Sequence, residues 1–196
     1  DMKIRFKMPH EAKRIEVEYK DGETVLEIIK REFEGYKNFL GVVVNSELGS
    51  LNYKPKTGDE ITLLDIENSL GLRIYTTSLS MIYAYAIKSL YPDMNIVIEH
   101  YVGSTIYTEK TSEEPFTIEE VKNIEKKMRE IVEKNIAIDM EKWDSNKALD
   151  YYRKINRQDV VKLFETSDVQ DVNIYKMNEF KEKFEGVLVP STEFIE

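Results

Sequence analysis

The chain contains no cysteine. No disulfide can brace it and no thiolate can hold a metal, which fits a reducing cytoplasm. Histidine is almost as scarce: His10 and His100 are the only two in 196 residues. No apolar run approaches the roughly 20 residues of a membrane span, and the N-terminus lacks the apolar core of a signal peptide. The expectation is a cytoplasmic protein with no membrane partner. The sequence holds no GxxxxGK[ST] phosphate loop, no GxGxxG and no HExxH, so nothing in it announces nucleotide or metalloprotease chemistry. Internal repeats, low-complexity tracts and long linkers are also missing.

What is present is an ordinary globular composition, 41% hydrophobic and 33% charged, in a length that suits one large domain or two small ones. The net charge is −9 and is unevenly spread. Residues 1–64 hold 11 basic and 12 acidic side chains, while residues 65–196 hold 17 and 25. Phosphate backbones are held mainly by Lys and Arg, so the second part is on average a poor nucleic-acid surface and DNA is not expected as a partner. A local basic patch remains compatible with this balance.

Residues 1–64 read as one unit. Alternation places Ile4, Phe6 and Met8 on one side of a first strand, and Ile15, Val17 and Tyr19 on one side of a second. Thr24, with Glu27 three residues on, opens a helix whose apolar stripe is Val25, Ile28, Ile29 and Phe33. "LGVVVN" and "EITLLDI" supply further strands. A hairpin, a crossing helix and more strands predict a ubiquitin-like β-grasp. Residues 65–196 predict an α+β domain, linked through "NSLGLRIY". Its first helix, capped by Thr76 or Thr77 and stopped by Pro92, has almost no polar face. A hairpin turning near Gly103 follows. Thr117 and Glu120 then form a capping box for a helix that places Ile118, Val121, Ile124, Met128, Ile131 and Val132 on one face, with a charged opposite face. Two short helices, a strand over "DVNIYKM" and an extended ending complete the chain.

Catalytic constellations are thin. Ser78 or Ser80 with His100 supplies the types of a triad, but nothing in the sequence positions them together. Glu113, Glu114, Glu119 and Glu120 crowd a helix start, where they favour the helix dipole. Tyr83, Tyr85 and Tyr91 read as core or cleft lining.

Two resemblances go further. Residues 1–64 resemble a TGS domain, the β-grasp module of threonyl-tRNA synthetase, certain GTPases and the stringent-response enzyme. Residues 65–196 resemble the domain that follows it in threonyl-tRNA synthetase and also occurs in alanyl-tRNA synthetase, an editing domain that hydrolyses wrongly charged tRNA. "TSLSMIYAYAIKSLYP" is similar to that family's "HSxxHxLAxAIKxLYP", and "FEGVLVPSTEFIE" to its "CRGPHVPxTxxIxxF". The family's four metal-binding positions fall on Thr77, Met81, Phe184 and Leu188. Zinc needs nitrogen, sulfur or carboxylate donors, so the resemblance implies an editing-type domain without its metal ligands.

The second resemblance is to bacterial uridine-kinase-like nucleoside kinases, in which the same two domains precede a P-loop kinase domain. "GLRIYTTSL" is similar to that family's "GxRxYxRSL", "IEHYVGSTIYTE" to its "EHSxGxGxYC", and "GVLVPSTEFI" to its "GxLVPSTGYL". Thr77 stands where that family has arginine, and Thr108 where it has cysteine. This resemblance implies that a kinase domain follows Glu196, as a partner within the same polypeptide. That domain would use ATP and magnesium; the present chain would need no cofactor and would catalyse no phosphoryl transfer. On this reading the chain is a regulatory region that binds a small ligand or tRNA. The alternative is a metal-independent aminoacyl-tRNA deacylase using Ser78, Ser80, His100 and Tyr107. An assembly module acting on other proteins is a third reading. A surviving cleft would lie between the "TSLSMIYAYAIKSLYP" helix and the 96–107 hairpin. Arg73, Thr77, Ser78, Met81, His100 and Tyr107 would line it, with Phe184 and Leu188 closing the far side. The competing expectation is that Met81, Phe184 and Leu188 simply fill that space, since buried apolar surface gains about 25 cal/mol per Å².

Overall fold

The computed structural model describes residues 2–101, 103–109 and 116–196, with side chains described outside 95–109. The fold is mixed α+β. The chain forms two compact units, one of residues 1–79 with 187–196 and one of residues 80–186. This grouping falls elsewhere than at the expected 64/65 junction, and the first unit shows why.

In that unit β1 (Lys3–Lys7) and β2 (Arg14–Glu18) form an antiparallel hairpin. Helix α1 (Val25–Glu32) follows, and then β3 (Gly41–Val44), β4 (Glu47–Gly49) and β5 (Glu60–Leu64). The sheet order is β2-β1-β5-β3-β4, with β1 and β5 parallel at the centre. Ile4, Phe6, Val17, Val42, Ile61 and Leu63 of the sheet and Val25, Ile28 and Ile29 of α1 are all buried. Thr24 Oγ1 accepts the Glu27 N–H at 3.2 Å and so caps the helix.

Helix α2 runs from Ser69 to Leu90. Its start lies two turns before the expected caps Thr76 and Thr77. Asn68 is the cap, with Oδ1 accepting from Leu70 N at 2.8 Å and Gly71 N at 3.3 Å. "NSLGLRIY" is therefore helix rather than linker. Gly71, a breaker by type, is required there, because a Cβ at Gly71 would stand 1.8 Å from the Asp65 carbonyl oxygen. One turn on, Ile74 lies over β3, 2.5 Å from where a Cβ on Gly41 would sit. The chain end belongs to the same unit. Tyr36 donates to Glu193 at 3.2 Å, Tyr36 and Phe194 rings lie 6.0 Å apart, and Tyr75 donates to the Glu196 carbonyl at 2.9 Å.

The second unit contains the rest of α2 and the antiparallel pair β6 (Asn95–Tyr101) and β7 (Gly103–Glu109). After them come α3 (Ile118–Glu133), β8 (Asp139–Asp144), α4 (Ser145–Lys154), α5 (Gln158–Thr166), β9 (Asp171–Met177) and β10 (Phe180–Lys183). The last three strands form an antiparallel sheet ordered β10-β9-β8. Trp143, Val172 and Ile174 on its face bury against Ala148, Tyr152, Val160, Val161 and Phe164 of α4 and α5.

The Thr117–Glu120 capping box forms with both reciprocal bonds. The expected apolar face of α3 does not bury as a whole. Ile124 and Ile131 are buried, but Ile118 is 78% and Val121 50% exposed. The capping end of α3 stands clear of the core that its later turns enter. Glu113 and Glu114 lie outside the described residues.

Candidate functional site

The positions that the resemblance equates with metal ligands are filled with buried side chains. Thr77 and Met81 lie one turn apart on α2, 5% and 0% exposed, and Phe184 and Leu188 are 1% and 2% exposed. Phe184 sets its ring 6.5 Å from that of Tyr175. A thioether, a phenyl ring and an isobutyl group offer no zinc donor set. Among the described residues, no buried side-chain nitrogen or oxygen lacks a hydrogen-bond partner. By type these four residues do not fit the metal.

Ser78 is 0% exposed and its hydroxyl is fully engaged. It donates to the Ile74 carbonyl at 2.7 Å and accepts the Val189 N–H at 3.0 Å. The serine shared with the editing-type helix thus pins the "LVPST" stretch to α2, and its oxygen is not offered to a substrate. Arg73 is exposed. His100 and Tyr107 stand in β6 and β7, and their side chains lie outside the described residues.

Two arrangements in the second unit were not legible in the sequence. The first is buried and polar. Arg157 Nη1 donates to Glu182 Oε2 at 2.6 Å, and its other nitrogens donate to Asp159 at 3.0 Å. Tyr152 donates to Glu182 at 3.1 Å and accepts the Lys183 N–H at 2.7 Å. Burial, helped by the Glu182 charge, pushes the Tyr152 hydroxyl well above its ordinary value. Burial lowers Lys88, with the Arg157 charge adding to it. Every member has a partner, so this network is a locked core element.

The second is a lysine–aromatic cluster in which Lys147 is exposed, Lys176, Lys181 and Tyr151 are half-buried and Trp143 is buried. Lys176 and Lys181 sit opposite each other on β9 and β10. Alternation puts both on the face that carries Glu141 and Trp143. Lys147 Nζ lies 4.5 Å from the Trp143 ring centre, and Lys181 Nζ lies 5.8 Å from Trp143 and 5.7 Å from Tyr151. The Glu141 carboxyl is held below its usual range by a hydrogen bond from Trp143 Nε1 and by the charges of Lys147, Lys176 and Lys181. On the same face the lysines are accompanied by two carboxylates, Glu141 and Asp139, the latter directly opposite Lys176. No spacing rule links Trp143, Lys147, Lys176 and Lys181, and only the sheet register brings them together.

No protein-family model matches the chain. Among curated proteins it is similar to threonine–tRNA ligases. It is 31% identical to that of Clostridium kluyveri over 179 residues, covering 90% of this chain and 28% of the ligase. It is 29% identical to that of Orientia tsutsugamushi over 177 residues, covering 89% and 27%. It is 28% identical to that of Phenylobacterium zucineum over 193 residues, covering 96% and 29%. The chain therefore spans between a quarter and a third of the length of the curated relatives it matches. The relationship to threonyl-tRNA synthetase expected from the sequence stands. None of these relatives is a kinase.

Proposed function

We propose that this chain is a tRNA-end-binding region of the threonyl-tRNA synthetase editing type that has lost metal-dependent hydrolysis. The observation that carries the reading is a likeness to threonine–tRNA ligases over about nine-tenths of the chain that coincides with buried Thr77, Met81, Phe184 and Leu188 at the metal positions. The sheet order β2-β1-β5-β3-β4 over one helix supports a TGS-type β-grasp in the first unit. Lys147, Lys176 and Lys181 support the reading as a local basic cluster for phosphates in a chain whose net charge is −9. Ser78 acts as a structural residue in this reading.

Fluorescence anisotropy with labelled threonine tRNA tests the binding. Affinity that falls with salt, and falls again in the Lys147→Glu/Lys181→Glu variant, supports it. Affinity indifferent to both changes contradicts it.

A second reading concerns what the chain is attached to. A uridine-kinase-like parent rests on the resemblance of "GLRIYTTSL" and "GVLVPSTEFI" to that family, from which Thr77 departs. In that case the region regulates a kinase domain that uses ATP and magnesium. Sequencing the gene beyond Glu196 decides it: a P-loop favours the kinase parent, and a synthetase catalytic domain opposes it.

A further inference from the structure

We propose that His10, Asp65 and Glu67 form a binding site for a first-row divalent transition-metal cation such as Co²⁺ or Zn²⁺, away from the positions at which the synthetase resemblance would place a metal. His10 Nε2 lies 2.9 and 3.2 Å from the two Asp65 carboxylate oxygens and 3.4 Å from Glu67 Oε2. One ligand atom from each residue falls within 4.8 Å of the other two. Metal bonds of about 2.0–2.2 Å to imidazole nitrogen and carboxylate oxygen put neighbouring ligand atoms about 3 Å apart, so an ion fits between these groups with small side-chain adjustments.

The donors come from separate parts of the chain. His10 lies in the turn between β1 and β2, closed by a Met8 N–H bond to the Lys13 carbonyl at 3.1 Å. Asp65 and Glu67 lie between β5 and α2. Asp65 is held firmly, since its Oδ1 accepts the Glu67 N–H at 3.1 Å and its carbonyl is packed under Gly71.

The surroundings point to a cation independently of that geometry. Asp65 and Glu67 line a groove of about 710 Å³ together with Glu11, Glu32 and Glu34, and no lysine or arginine belongs to the lining. Arg31 reaches Glu32 from outside it, at 3.2 Å. Five carboxylates around one concavity attract positive charge. An imidazole among the donors turns the preference from calcium and magnesium, which take oxygen ligands, towards the borderline metals. Three protein donors leave further coordination positions open to water or to an anionic ligand. Bound metal would replace the proton shared by the His10 ion pairs and tie the β1–β2 turn to the start of α2.

Titrating the full chain with Co²⁺ while following its visible absorption and thermal midpoint tests the site. The expected result is a saturable spectrum and a raised midpoint, neither produced by Mg²⁺. His10→Ala and Glu67→Gln are each expected to weaken Co²⁺ binding by about tenfold or more, while His100→Gln leaves it unchanged. The Glu67 side chain is 75% exposed, so Glu67→Gln is expected to melt like the wild type in chelator and decides the matter even where His10→Ala fails to fold. No saturable Co²⁺ spectrum, an equal response to Mg²⁺, retained binding in Glu67→Gln or lost binding in His100→Gln would each overturn the proposal.

Discussion

Ser78 shows how far the meaning of a single residue depends on its partners. By type it offers a nucleophile; in the structure both its bonding directions are taken, by Ile74 and Val189. Ser78→Ala leaves the buried Val189 N–H without this acceptor, at a cost of about 1–3 kcal/mol. Urea unfolding is expected to show that loss, with tRNA affinity unchanged in the folded variant. The Arg157–Glu182 pair behaves similarly. Removing one charge strands the other in a buried setting, so Glu182→Gln is expected to lower stability by about 3–5 kcal/mol. Tyr152→Phe, which removes one hydrogen-bonding hydroxyl, is expected to cost about 1–2 kcal/mol, and the same unfolding experiment ranks the two. Glu23 gives a pH dependence. Its carboxyl is held below its ordinary value of 4.5 by the Lys20 N–H and then by Arg31. A depressed carboxylate stabilises the fold above its unfolded value and loses that contribution as pH falls through the folded one. Thermal midpoints of wild type and Glu23→Gln should therefore differ at pH 7 and converge as the pH drops below about 4.

At the scale of elements, local chemistry was legible and tertiary demands were not. The alternation of β1 and β2, the Thr24 and Thr117 caps and the Pro92 stop all appear where residue type and spacing put them. The start of α2 was hidden because Gly71 reads as a breaker, whereas the close Asp65 carbonyl makes glycine the residue that lets the helix begin. Gly71→Ala should test this: despite alanine's higher helix propensity, the variant is expected to lose about 1–3 kcal/mol through overpacking, read as a lowered urea midpoint. β8 was hidden for a different reason. Only Trp143 among its six residues is buried, so no alternating apolar signal exists. β4, at three residues, is too short for one. In α3, Ile118 and Val121 continue an apolar stripe that the core does not follow. Periodicity reports which face a helix would bury, not how much of its length the rest of the chain reaches.

At the scale of the whole molecule, the sequence showed what the candidate site lost more readily than what any site gained. Thr77, Met81, Phe184 and Leu188 stood out because a known pattern passes through them. The Lys147–Lys176–Lys181 patch and the His10–Asp65–Glu67 cluster had no pattern to reveal them, since residues far apart in the chain converge only once the sheets pair. The similarity to threonine–tRNA ligases over most of this chain and about a quarter of theirs underlies the proposed reading, a binding region without a hydrolytic metal. The most direct test is to incubate the chain with a mischarged threonine tRNA, with and without added zinc, and to follow binding and deacylation in the same sample. The account predicts saturable binding with ester loss at the uncatalysed rate under both conditions. Deacylation above that rate, or no binding at all, would contradict it.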